Sequence, residues 1–114
     1  MKLRSFLAAG VVACGMFTTS PSYAGGVVTG NIIHVYVRQN DGLVFFELDG
    51  AISGRAACAT SNNLWILPLE NSDTSKRQYA ALLSARAAGI PVGVQGSGQC
   101  TRWPNSEDVD TLIF

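Results

Sequence analysis

The sequence predicts a small α+β domain, mainly β, built as a partly open barrel plugged by a single helix. Three observations carry that expectation. Short β-branched segments alternate in polarity at both ends of the chain, one well-capped helical stretch sits among them, and two cysteines lie far apart in a short domain. The expected order along the chain is β-β-β-α-β-β.

The first strand is read over residues 27–38, VVTGNIIHVYVR, where alternation is clear from Asn31 onward. Ile33, Val35 and Val37 share one face; Ile32, His34, Tyr36 and Arg38 share the other. Asn40-Asp41-Gly42 is a turn signal, and residues 43–49, LVFFELD, return as the second strand of a hairpin. There Val44, Phe46 and Leu48 form the core face, while Leu43, Phe45 and Glu47 point outward. A small-residue loop leads to Cys58, and the apolar run LWIL at 64–67 makes a third strand that Pro68 helps to end.

Residues 71–74, NSDT, offer several N-caps for a helix over 74–88, and Gly89 supplies the left-handed stop with Pro91 behind it. Tyr79, Leu82, Leu83 and Arg86 mark one side of that helix. A fourth strand follows at 90–95, then a turn at 96–98, then a polar loop. Residues 109–114, VDTLIF, close the sheet.

The first 24 residues read as a secretory leader. Lys2 and Arg4 precede an apolar run of twelve at 6–17, and Ser22 and Ala24 form an A-x-A-like cleavage site. The run is too short to span a bilayer as a stable helix. Cleavage after Ala24 leaves one domain at 25–114, periplasmic or secreted. A second reading takes Val11-Val12-Ala13-Cys14 as a lipobox, with Cys14 lipidated.

Residues 25–114 carry eight acidic and six basic residues. That balance leaves no basic stripe to neutralise phosphates, so no nucleic acid is expected as partner. No second apolar segment suggests a membrane span. Cys58 and Cys100 are an even pair in a small exported domain and are read as a disulfide.

The glycine-rich stretch GIPVGVQGSGQC at 89–100 resembles a phosphate loop or a nucleophile elbow only superficially. A phosphate cradle needs a helix start behind it, and Gln-Cys-Thr-Arg-Trp-Pro is a poor one. An elbow needs G-x-S-x-G, but position 95 is Gln rather than Gly, so Ser97 fails the pattern. The glycines are therefore read as tight turning beside a crosslink. With His34 as the single histidine, no metal and no cofactor are expected. Glu107, Asp108 and Asp110 do not match a calcium loop, and Glu107 and Asp108 are read as solvated or as capping a turn. No pair of carboxylates stands out for hydrolysis, so no catalytic residues are assigned.

What remains is surface. His34, Tyr36 and Arg38, with Phe45 on the neighbouring strand, form an aromatic and polar patch that either stacks on a sugar, docks a partner, or packs beneath the helix or against a neighbouring strand. Trp65 is read as core and Trp103 as the better candidate for an exposed aromatic.

The order and spacing of several segments resemble the B subunit family of subtilase cytotoxin and its pertussis-like and typhoid-type relatives. These are Thr29-Gly30-Asn31-Ile32-Ile33, Ala57-Cys58, Asn62-Asn63-Leu64-Trp65 and Gly89-Ile90-Pro91-Val92. The resemblance implies an oligosaccharide/oligonucleotide-binding (OB) barrel, a homopentameric ring, an A-subunit partner, and binding of sialylated cell-surface glycans. It also implies a sugar contact at Thr29, where those subunits carry a hydroxyl residue. Gln95 and Gly96 stand where they carry tyrosines. The expected function is thus an exported, non-enzymatic glycan-binding module. The alternative is a monomeric periplasmic accessory protein that binds a protein partner.

Overall fold

The computed structural model describes Gly15 and residues 25–114. The expected leader and Cys14 lie outside the described residues. The domain is mainly β: six strands and one α-helix, arranged as β1 (Val27–Gly30), β2 (Ile32–Val37), β3 (Val44–Leu48), β4 (Leu64–Leu67), α1 (Asp73–Ala88), β5 (Val92–Gly96) and β6 (Glu107–Ile113). The strands form one sheet in the order β1-β5-β6-β4-β3-β2. All pairings are antiparallel except β4 with β6, which run parallel.

The order expected from the sequence is corrected at its first element, which is two strands rather than one. The break falls at Asn31, whose amide donates to Asp49 Oδ1 at 2.7 Å while its carbonyl accepts from the Asp49 amide at 3.0 Å. Asp49 thus takes the hydrogen bonds that a continuous ladder would use. Before the break the chain pairs with β5, and after it with β3. The two outermost strands of the sheet order are therefore consecutive in the chain.

A register shift between Ile32 and His34 also changes which β2 residues face inward. Ile32 and Val35 pack against the core, whereas Ile33 and Val37 are exposed. Leu43 is fully buried, against the expected outward position, because it lies in the hairpin turn before β3 begins rather than in the alternating ladder. The remaining β3 alternation holds, with Val44, Phe46 and Leu48 buried and Phe45 and Glu47 half-exposed.

Helix α1 begins where Ser72 caps it, its hydroxyl accepting from the Ser75 amide at 3.1 Å. It ends at Gly89, whose φ of 68° lets its amide close onto the Ala85 and Arg86 carbonyls. Leu82 and Ala85 are its buried contacts with the core, while Leu83 is exposed. The centre of that core is Trp65, wholly buried with Phe46, Leu67, Leu82, Val92 and Val94.

Glu107 corrects the expectation most sharply. It is not solvated but completely buried at the start of β6. Its Oε1 accepts from the Ala56 amide at 2.8 Å, and its Oε2 from the amides of Gly26 at 2.8 Å and Gly98 at 3.3 Å. One carboxylate thereby holds the entry to β1, the loop after β3 and the turn after β5. Gly96 is required by this packing, because a β-carbon there would fall 1.6 Å from Glu107 Oε2. The glycine-rich stretch wraps a buried acid of its own chain.

Arg55 lies over the Trp65 ring, 4.3 Å from its centroid, and donates to the carbonyls of Ala59 and Leu64. Burial lowers its pKa, and attraction to Glu107 opposes that shift. Asp108, expected to be solvated or to cap a turn, is buried and does the second, its Oδ2 accepting from both the amide and the hydroxyl of Thr101 in the loop before β6. Cys58 and Cys100 form the expected disulfide, with Cα atoms 6.2 Å apart across a separation of 42 residues. Closing a loop of that length stabilises by about 4 kcal/mol in the chain-entropy model.

Replacing Glu107 by Gln is expected to cost about 2–4 kcal/mol, since an amide nitrogen must then face at least one buried backbone N–H. Urea denaturation checks this; a change below about 1 kcal/mol would contradict the role assigned to the carboxylate.

Candidate functional site

The loop between β5 and β6 is fixed from several sides. The Ser97 amide donates to the Asp108 carbonyl at 2.9 Å, and the Asp108 amide to the Gln99 carbonyl at 2.8 Å. Cys100 is bonded to Cys58, and Asn62 bonds the Asn105 carbonyl and the Ser106 hydroxyl at 3.1 and 3.0 Å. Ser97 itself only closes the turn, its Oγ accepting from the Gln99 amide at 3.2 Å. Thr101, Pro104 and Asn105 of this loop are exposed, whereas Arg102 and Trp103 are half-buried.

Trp103 meets the hairpin of β2 and β3. Its ring stands edge-on to Phe45, with centroids 5.3 Å apart. Phe45 in turn stacks on Tyr36 at 4.6 Å with 14° between planes, and Tyr36 lies 5.6 Å from the His34 ring. Arg38 covers the Trp103 ring at 5.0 Å from its centroid. The β2–β3 register explains the strip, because Tyr36 lies opposite Phe45 and His34 opposite Glu47. His34 Nδ1 is 3.5 Å from Glu47 Oε2.

The patch expected from the sequence is therefore assembled, and it lies open rather than beneath the helix. His34 and Tyr36 are exposed, and Arg38, Phe45 and Trp103 are half-buried. Thr29 does not join it. That residue is exposed on β1 opposite Gly93 of β5, at the other end of the sheet order.

An ionic frame borders the strip. Arg38 clasps Asp41 through two hydrogen bonds of 2.9 and 2.6 Å. Arg102 clasps Glu70 at 2.8 and 3.2 Å and donates to the Asp41 carbonyl at 3.1 Å. Three segments of the chain thus meet: the β2–β3 turn, the β4–α1 connection and the β5–β6 loop. The hydrogen bond from Arg38 holds the Asp41 carboxyl well below the usual carboxylate range, and that from Arg102 lowers Glu70. The same bonds raise both guanidiniums. A cleft of about 240 Å³ adjoins this frame, lined by residues 68–72 and Arg102.

Sequence reasoning found His34, Tyr36, Arg38, Phe45 and Trp103 individually, but not the frame. Arg102, Glu70 and Asp41 are widely spaced in the chain, and no local pattern joins them. No group of three or more His, Cys, Asp or Glu side chains is placed to hold a metal ion among the described residues. No helix among them is long and apolar enough to cross a membrane. No protein-family model, curated protein or solved structure matches the chain.

Asp41 and Glu70 have depressed folded-state values, so their stabilisation is present above the unfolded carboxylate range, near pH 4, and is lost as pH falls through the folded values. Replacing Arg102 by Gln removes Glu70's partner. The variant is expected to lose less stability than the parent between about pH 4 and pH 2, read from urea midpoints. Parallel acid profiles would contradict the frame.

Proposed function

We propose that this chain is an exported, non-enzymatic carbohydrate-binding module whose sugar site is the strip of Tyr36, Phe45 and Trp103 with His34 and Arg38. The observation that carries this reading is the continuity of the aromatic strip, exposed at His34 and Tyr36 and half-buried at Phe45 and Trp103. Pyranose rings present apolar C–H faces that stack on aromatic rings, and neighbouring polar groups bond their hydroxyls. Here the aromatic faces come from three segments, and Arg38, Glu47 and His34 supply the polar rim.

The sheet order supports an OB-type barrel, as the resemblance to toxin B subunits implies. Counted as one bent strand, β1 and β2 give five strands, with the helix between the third and fourth and the third running parallel to the fifth. In OB barrels, oligosaccharides and oligonucleotides bind at the face of strands 2 and 3 and at the loops joining strands 1–2 and 4–5. Phe45 stands on the second strand of that count, Arg38 and Asp41 at the 1–2 loop, and Trp103 on the 4–5 loop. The acidic balance of residues 25–114 favours sugar over nucleic acid. Thr29, the sugar contact implied by the toxin resemblance, lies on a different part of the sheet.

The second reading is a periplasmic accessory protein that docks a protein partner, as a monomer. It is favoured by β2, which stands at one end of the sheet order with Ile33 exposed 40% and Val37 exposed 58%. A homopentamer with an A-subunit partner belongs to the toxin resemblance and is tested by the assembly state.

The test is binding to a panel of sialylated and neutral glycans, followed by Trp fluorescence. Trp103→Ala and Tyr36→Ala are each expected to weaken binding at least about tenfold while leaving the circular dichroism unchanged. Loss of binding in Thr29→Val with the strip variants unaffected would move the site to β1. Binding to no glycan would favour the protein-partner reading.

A further inference from the structure

We infer that hydrolysis after Ala24 does more than release a leader: it creates an ammonium group at Gly25 that Glu107 receives, completing a buried ion pair. The inference rests on the sequence reading of a cleavage site at Ala24 and is independent of any glycan site. Two observations in the fold point to it separately.

The first is an unusual acid. Glu107 is completely buried and accepts three backbone N–H groups, but it has no directly bonded cation among the described residues. Arg55, the guanidinium that acts on it, donates to the Ala59 and Leu64 carbonyls instead. A buried carboxylate is ordinarily matched by a hydrogen-bonded positive group.

The second is the seat of the chain end. The Gly26 amide donates to Glu107 Oε2 at 2.8 Å, and the Gly26 carbonyl accepts from the Gly96 amide at 2.8 Å. Adjacent backbone nitrogens are at most roughly 4 Å apart, so the Gly25 nitrogen lies within roughly 7 Å of the same Oε2. Gly25 is itself buried, and a β-carbon on it would fall 1.9 Å from the Gly96 carbonyl oxygen. Position 25 therefore accepts glycine alone in this packing. A recess of about 90 Å³, lined by Gly25, Gly26, Val27, Gln95 and Gly96, adjoins the seat.

The covalent step is a simple hydrolysis by an export endopeptidase. Water adds across the Ala24–Gly25 peptide bond and the C–N bond breaks. Ala24 keeps the new oxygen as a carboxylate, and the Gly25 nitrogen leaves as an ammonium. In this proposal Glu107 of β6 receives that ammonium, and Arg55, whose charge also interacts with the carboxylate, is the second cation of the site.

The chain offers a clean test because Lys76 is the only lysine in residues 25–114. In a Lys76→Arg variant, expressed with its leader and purified from the exported fraction, the α-amine is the sole primary amine. Intact mass reads where the chain begins, and timed acetylation at fixed pH reads how available the amine is. The expected result is a chain starting at Gly25 whose amine reacts at least about tenfold more slowly when folded than in urea, equivalent to one unit of pKa. Glu107→Gln should remove most of that protection. If this variant does not fold, the urea midpoint of the acetylated Lys76→Arg protein decides, and it should lie below that of the free-amine form. A chain beginning at any other residue overturns the inference. So does an amine that reacts equally fast folded and unfolded.

Discussion

A single carboxylate organises this molecule. Glu107 sits at the start of β6 with its side chain turned inward, where it ties together amides from three segments that the β1–β5 pairing and the Val27–Ser53 bridge set side by side. Burying an acid is unfavourable unless its lone pairs are filled, and here backbone N–H groups fill them. The glycines at 25, 26, 96 and 98 leave room for those amides to converge. Trp65 and Arg55 close the same region from the core side, so the acid is sealed rather than solvated.

From this anchor the position of the proposed sugar site follows. The turn after β5 is held by Glu107 and Asp108 at its base, and the disulfide fixes it at Cys100. The loop therefore emerges in one conformation, and its residues Arg102 and Trp103 meet the β2–β3 hairpin. Arg102 joins Glu70 and the Asp41 carbonyl, and Trp103 extends the ring series that begins at His34. Exposed ion pairs of this kind add little stability, but they orient the segments that bear them. The proposed site is assembled from three segments and requires that they keep their relative positions, an end that the buried acid, the crosslink and the frame each serve.

Much of this was legible in the chain itself. Helix α1 and strand β4 are marked by local chemistry: a serine cap, a left-handed glycine stop, and a short apolar run ended by proline. Tyr36 and Phe45 were found because alternation places them on one face of a hairpin. The β1–β2 break was not legible, because it arises from Asp49, a residue 18 positions away that captures the Asn31 amide. Leu43 and Ile33 left their expected environments for the related reason that period-two patterns fail at turns and register shifts. Glu107 was misread because an acid beside polar neighbours looks solvated. Its signal lay in four distant glycines, which have meaning only once the sheet order is known.

Amide hydrogen exchange at Gly26, Ala56 and Gly98 tests the organising role of the carboxylate most directly. These N–H groups bond Glu107 rather than a neighbouring strand. The account predicts that all three exchange as slowly as the Trp65 and Val94 amides of the core, opening only with global unfolding. Exchange at the rates of the exposed loop amides at Gln39 or Asn105 would contradict it, and would make the buried acid a passenger of the fold.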